Sequence, residues 1–140
     1  MPFKIAEVNY PAVLVAGVLA FIVGAVWYTA LFGKLWIRLQ GFSDEKVKEM
    51  KANMSPVKFF GGMLASYLVL AWVIAIILIG LPESDLRTGA TLGFFFWLGV
   101  AAIGFTNHLP SGKPLGVYLI DTGCQLVYLV LMGLLLGAWR

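Results

Sequence analysis

The chain has 140 residues, 61% of them hydrophobic and 12% charged, with a mean hydropathy of +0.91. Soluble domains carry about 25% charged residues, so a water-soluble monomer is excluded: too few charges remain to cover so much apolar surface. The net charge of +3 is concentrated in one loop, which suits a membrane surface and argues against a nucleic-acid partner.

A hydrocarbon core of about 30 Å needs about 20 apolar helical residues to cross it, and four runs meet that length. The first, Pro11 to Phe32, carries no charge and has proline in its first turn, where the missing N–H is harmless. It is too long for the apolar core of a signal peptide, and Phe32-Gly33-Lys34 lacks the small residues of a cleavage site, so no cleavable leader is expected. A loop, residues 33–58, follows. Within it Ser43, ahead of Asp44 and Glu45, reads as the cap of a short helix to about Asn53, with Val47 and Met50 on one face and Pro56 closing it. This helix is expected to be a surface connector, or else a docking site for a partner.

The second run spans Phe59 to Leu81 and stops at Gly80 and Pro82. The third spans Thr88 to Leu109 and stops at Pro110. The fourth, Leu115 to Trp139, opens after Pro114. Lipid offers backbone polar groups no partner, so each span must be helical. The expected fold is an all-α integral membrane protein: a single domain, four transmembrane helices in a bundle, plus a short amphipathic cytoplasmic helix. Tyr28 to Lys34 echoes Phe105 to Lys113, and Tyr67 to Leu70 echoes Tyr128 to Leu131. Such a repeat would make the bundle two helical hairpins.

Charge gives the orientation. Lys34, Arg38, Lys46, Lys48, Lys51, Lys58 and Lys113 lie on one side of the spans; Lys4, Arg87 and Arg140 lie on the other. The excess of Lys and Arg marks the cytoplasmic loops, so both termini are expected outside. Trp27, Tyr28 and Trp36 at one face, with Tyr10 and Trp139 at the other, fit interfacial aromatic belts.

The polar residues inside the spans gather in the cytoplasmic half. Among them are Tyr28, Ser66, Tyr67, Thr106, Asn107, His108, Tyr118, Asp121 and Gln125; the outer half is nearly all apolar apart from residues such as Trp97 and Tyr128. Tyr118, Asp121, Gln125, Tyr128 and Met132 recur at three- and four-residue spacing and share one helix face. Gln125 is thus in range to donate to Asp121, and Tyr28 and Tyr67 lie at suitable depth to do the same. A carboxylate at the middle of a membrane helix costs about 2.5–3.5 kcal/mol to insert, whereas an interhelical hydrogen bond in a membrane returns about 0.6 kcal/mol. Two readings follow. Asp121 either glues helices together or serves a ligand, ion or proton site. The expected ligand-binding set is Asp121, Gln125, Tyr118, Asn107, Tyr28 and His108.

Other chemistry finds little support. His108 is the one histidine and Cys124 the one cysteine, so neither a metal site nor a nucleophile–base–orienter arrangement is expected. No cofactor is expected and no catalytic residue is assigned. The remaining acids, Asp44, Glu45, Glu49, Glu83 and Asp85, read as loop charges. Gly133 and Gly137, Gly89 and Gly93, and Ala16, Ala20 and Gly24 are small-residue motifs that let helices approach closely. They serve either packing within the chain or a homo-oligomer, with a dimer favoured.

Trp27-Tyr28, Leu31-Phe32-Gly33-Lys34, Trp36, Thr106-Asn107, Gly112-Lys113-Pro114-Leu115 and Ile120-Asp121 together resemble the bacterial membrane family catalogued as domain of unknown function 1761. The resemblance covers nearly the whole chain. It implies a four-helix membrane protein, places Asn107 and Asp121 in the family pattern, and carries no activity with it. The leading functional expectation is a bacterial inner-membrane binding or transport module whose cytoplasm-facing pocket around Asp121 takes a small cation, a proton or an amphiphilic molecule. A structural or accessory subunit is the alternative. A membrane-embedded enzyme acting on a lipid or isoprenoid, with Asp121 as acid or base, ranks last.

Overall fold

The computed structural model describes residues 3–140. Helix α1, Tyr10–Val26, starts where the Asn9 side chain accepts from the Ala12 N–H at 3.1 Å. It passes into a π turn over Trp27–Leu31, in which Phe32 N–H reaches back five residues to the Trp27 carbonyl at 2.8 Å. Helix α2, Gly33–Gln40, begins directly after it. Gly33 permits this junction, because any β-carbon there would collide with the Tyr28 carbonyl. Gly41, at φ 77°, ends α2 in the left-handed conformation, with Phe42 N–H bonded to the Ile37 carbonyl.

Helix α3, Asp44–Asn53, is capped by Ser43, whose oxygen accepts from Lys46 N–H at 3.1 Å. Helix α4 covers Pro56–Ile79, α5 covers Leu86–His108 and α6 covers Leu115–Ala138. A single 3₁₀ turn, Leu109–Ser111, extends α5 to the loop before α6. Four helical segments are long and apolar enough to cross a membrane. They are Tyr10–Leu31, Pro56–Ile79, Leu86–Ser111 and Leu115–Ala138. The loop after the first span differs: it holds two helices, α2 and α3, where one was expected. Leu35, Trp36 and Leu39 form a short apolar stripe and Gly41 is a C-terminal stop, so the signal for α2 was present.

The packing follows the small residues. α1 lies against α4 and α5 lies against α6, making two helical hairpins, joined mainly where α1 meets α6. Helix α6 is the hub and contacts every other span. Helix α5 is an outrigger that rests almost wholly on α6. A β-carbon on Gly89 would strike the Gly133 backbone, one on Gly93 the Leu129 backbone, and one on Gly137 the Asp85 backbone. The small-residue motifs of α5 and α6 are therefore spent on each other within one chain. On α1, Ala12, Ala16 and Ala20 are fully buried in one core with Ala71, Ile74 and Met132, while Gly17 and Gly24 face Leu68 and Tyr67 of α4.

Large apolar side chains such as Leu14, Ile22, Val69, Phe95, Leu98 and Ile103 point outward around the bundle, as lipid requires. The two ends of the bundle are fastened by cations. At the end bearing the termini, the Arg140 guanidinium donates to the Ile79 and Leu81 carbonyls at 2.9 and 2.8 Å and to Ser84 at 3.0 Å. At the loop end, Lys113 donates to the Gln40 carbonyl at 3.0 Å and lies 5.3 Å from the Phe42 ring centre. Both cations sit at helix C-termini, where unpaired carbonyls and the helix dipole favour them.

Candidate functional site

Asp121 lies on the hub helix, six residues after its start. At about 1.5 Å per residue, that is roughly 9 Å along a helix of about 36 Å. The residue is nearer the loop-side boundary of a 30 Å hydrocarbon layer than its middle. Its insertion therefore costs less than the mid-membrane figure.

Two donors converge on it. The Tyr28 hydroxyl, presented by the π turn, donates to Asp121 Oδ1 at 2.5 Å, and Trp36 Nε1, presented by α2, donates to the same oxygen at 3.0 Å. The two rings stand almost perpendicular, with interplanar angle 84° and centroids 6.0 Å apart. Phe42 packs edge-on against the far side of Trp36 at 6.1 Å. Oδ2 accepts from no described residue, and it is not sealed: Thr122 Oγ1 is the one described side-chain oxygen that is both buried and unpartnered. The carboxylate is thus pinned through one oxygen and without a described partner at the other.

Local backbone geometry positions these donors. The π turn offsets the helix by one residue and turns Tyr28 inward, while Trp27, its neighbour, crosses α6 and donates to the Ile120 carbonyl at 2.9 Å. Gly123 makes room for that indole, since a β-carbon there would lie 3.2 Å from the ring. From the opposite side Trp97 donates to the Thr122 carbonyl at 2.8 Å. Two tryptophans thereby clamp the α6 backbone on either side of Asp121. α2 is held over the site by Trp36, by Lys113 and by Leu39, which packs on Gly116.

The other expected site residues divide. Tyr28 joins Asp121. Tyr118 turns instead to α5, donating to the Ala101 carbonyl at 2.6 Å, because its position on α6 lies to the α5 side of Asp121. Gln125 makes no hydrogen bond to Asp121, and Asn107 is exposed without a described partner. His108 stacks on Tyr118 with ring centres 5.5 Å apart, outside the Asp121 cluster. Tyr67 meets Tyr128 edge-on at 5.1 Å, and the Ser66 hydroxyl returns to its own helix at Gly62. Trp36, read as a belt residue, is a ligand of the carboxylate instead. Asp85, read as a loop charge, is the cap of α5: its side chain accepts from Thr88 N–H at 2.9 Å, which holds its carboxyl below the ordinary aspartate range.

Among the described residues no three His, Cys, Asp or Glu side chains converge. Two surface recesses lie elsewhere, beside Asn9, Leu136 and Arg140 at the end bearing the termini and beside Leu81, Arg87 and Phe95.

No curated protein and no solved structure matches the chain. Residues 11–137 match the family described as "Protein of unknown function (DUF1761)", a match over most of the chain, and the chain belongs to that family.

Proposed function

We propose that this protein is a small binding or transport module of a bacterial inner membrane, with Asp121 as its ligand-binding residue. The observation that carries the reading is the half-satisfied carboxylate: Oδ1 is fixed by Tyr28 and Trp36, and Oδ2 is left for a ligand. Two donors on one oxygen hold the group in a defined orientation before any ligand arrives, which reduces the ordering cost of binding. The nearly apolar half of the bundle toward the termini would form a seal. In this reading Tyr28 and Trp36 replace Gln125, Tyr118, Asn107 and His108 as the partners of Asp121. The Lys and Arg excess at the loop end supports an orientation with that end in the cytoplasm and both termini outside.

The test is reconstitution in liposomes with the isosteric Asp121→Asn. The proposal expects loss of retained small molecule, or of transport, in the variant. Unchanged retention and transport would contradict it.

A second reading is favoured by one observation. The Oδ1 bonds join α1, α2 and α6, so Asp121 also serves as a structural latch within an accessory subunit. Here Asp121→Asn would leave retention unchanged, and a stoichiometric protein partner would be recovered with the purified chain. A homo-oligomer is kept as a proposal on other surfaces than the α5–α6 glycines, which are covered within the chain.

A further inference from the structure

Resting on the reading of Asp121 as a ligand-binding carboxylate, we infer the class of ligand: a lipophilic organic ammonium, admitted to Asp121 when α2 moves aside. Asp121 is the one carboxylate within the four spans. No described Lys, Arg or His forms an ion pair with it; the described pair is Lys4 with Glu7, near the start of the chain. Any ionic partner for this carboxylate would come from outside the described chain.

The surroundings select against an inorganic ion. Calcium takes 6–8 oxygen ligands and magnesium a near-ideal octahedron of them. Around Asp121 the near groups are an indole N–H and a phenol hydroxyl that already donates, each on an aromatic ring that meets the carboxylate by its polar edge. An indole nitrogen offers no lone pair to a metal, and no second carboxylate, histidine or thiol completes a ligand set. A stripped metal ion would lose more water contacts than the site returns.

The same groups suit an alkylammonium. Its charge is spread over methyl or methylene hydrogens, which need no lone pairs and pack against aromatic faces. Such cations are held by cages of Trp, Tyr and Phe. Tyr28 and Trp36 are two walls at 84°, and they meet at the pinned oxygen of the one carboxylate. Oδ2 would face the ammonium while the rings contact its carbons. An apolar tail is expected because the helices flanking the site present side chains such as Leu119 and Phe105 to lipid.

Admission depends on α2. Neither of the two recesses described above reaches Asp121, and Trp36 lies against its carboxylate, so a shift of Trp36 would make room at Oδ2 for a bulky cation. α2 is built for such a shift. It is flanked by Gly33 and by Gly41, and it is fastened by one Lys113 bond, one Trp36 bond and the packing of Leu39.

The test uses the full chain in a non-ionic detergent and isothermal titration calorimetry with benzyltrimethylammonium, set against its uncharged carbon isostere, neopentylbenzene. The expected result is saturable binding of the cation, at least tenfold weaker for the isostere. Asp121→Asn, which keeps an oxygen for Tyr28 and Trp36, is expected to lose at least tenfold in affinity for the cation, and Asp121→Glu to recover part of it. Equal affinity for cation and isostere, or full affinity in Asp121→Asn, overturns the inference. Should the Asn variant fail to fold, the comparison of cation and isostere on the wild type still decides. If the wild type ignores the cation yet carries through purification a neutral or anionic molecule that Asp121→Asn loses, the ammonium class falls and the binding reading stands. If it neither binds the cation nor carries anything, both fall.

Discussion

Asp121 and Tyr28 were legible as a pair because both lie at the same depth on spans that end at the same face. The remaining partners were not, and the reason is direction. Spacing by three and four residues says which face of α6 a residue occupies, but not which neighbour stands opposite. Tyr118 is offset enough from Asp121 to meet α5, so its hydroxyl goes to the Ala101 carbonyl. Trp36 was missed for another reason: its reach depends on α2 folding back over α6, which follows from the Gly33 junction and not from the apolar runs.

Two residue-scale predictions follow from these contacts. Tyr28→Phe removes one of the two donors to Oδ1 and should lower stability by roughly 0.6 kcal/mol, the average for interhelical hydrogen bonds in membranes, as read by unfolding in mixed micelles. Asp85 gives a pH signature. Its carboxyl is depressed in the folded chain by the Thr88 N–H. Its contribution to the first turn of α5 is therefore present above the ordinary aspartate range and fades as pH falls through the lower folded value. Hydrogen-exchange protection at the start of α5, taken relative to the intrinsic exchange rate at each pH, should fall below about pH 4, and Asp85→Asn should remove that dependence.

At the scale of elements, the four spans could be read from apolar length alone, since a membrane span is a composition before it is a contact. The Ser43 cap and the first-turn position of Pro11 also read correctly. The π turn could not be read, because it depends on how Trp27 and Tyr28 dock on α6 and leaves no mark in hydropathy. Gly33 is its one visible sign. Gly33→Ala would press a methyl group on the Tyr28 carbonyl and displace the turn. The expected result is a weakened Tyr28–Asp121 bond and reduced binding at the site, with helicity by circular dichroism nearly unchanged.

The glycines of the outrigger make a sharper contrast. Gly89→Leu must force α5 off α6, since the two backbones touch at Gly133. A loss of at least about 3 kcal/mol is expected, the upper range for overpacked cores. Gly61→Ala, on α4 with open space beside it, should instead stabilise by about 0.5–1 kcal/mol, because alanine is the better helix former. Thermal denaturation of the two variants in the same detergent distinguishes them.

At the scale of the whole molecule, α6 is where everything meets. It carries the carboxylate, takes an indole from either side, and holds α5 by glycine contact and α1 by alanine packing. The hairpin arrangement hinted at by the weak repeat corresponds to the observed pairing of α1 with α4 and α5 with α6. The polar residues sort by end as well. The site, α2, α3 and most of the cations lie at one end, and Arg140 fastens the other. The proposed orientation is checked on a Cys124→Ser background with single cysteines at Ser55 or Ser84. A membrane-impermeant maleimide added to intact cells should label position 84 and not position 55.

The most direct test of the claim that Asp121 binds a ligand is native mass spectrometry of the protein released from mild detergent, wild type beside Asp121→Asn. The account predicts that the wild type carries a defined small molecule and that the variant, folded and of the same stoichiometry, has lost it. Bare chains of identical mass state from both proteins would contradict the account and leave Asp121 as a latch between α1, α2 and α6.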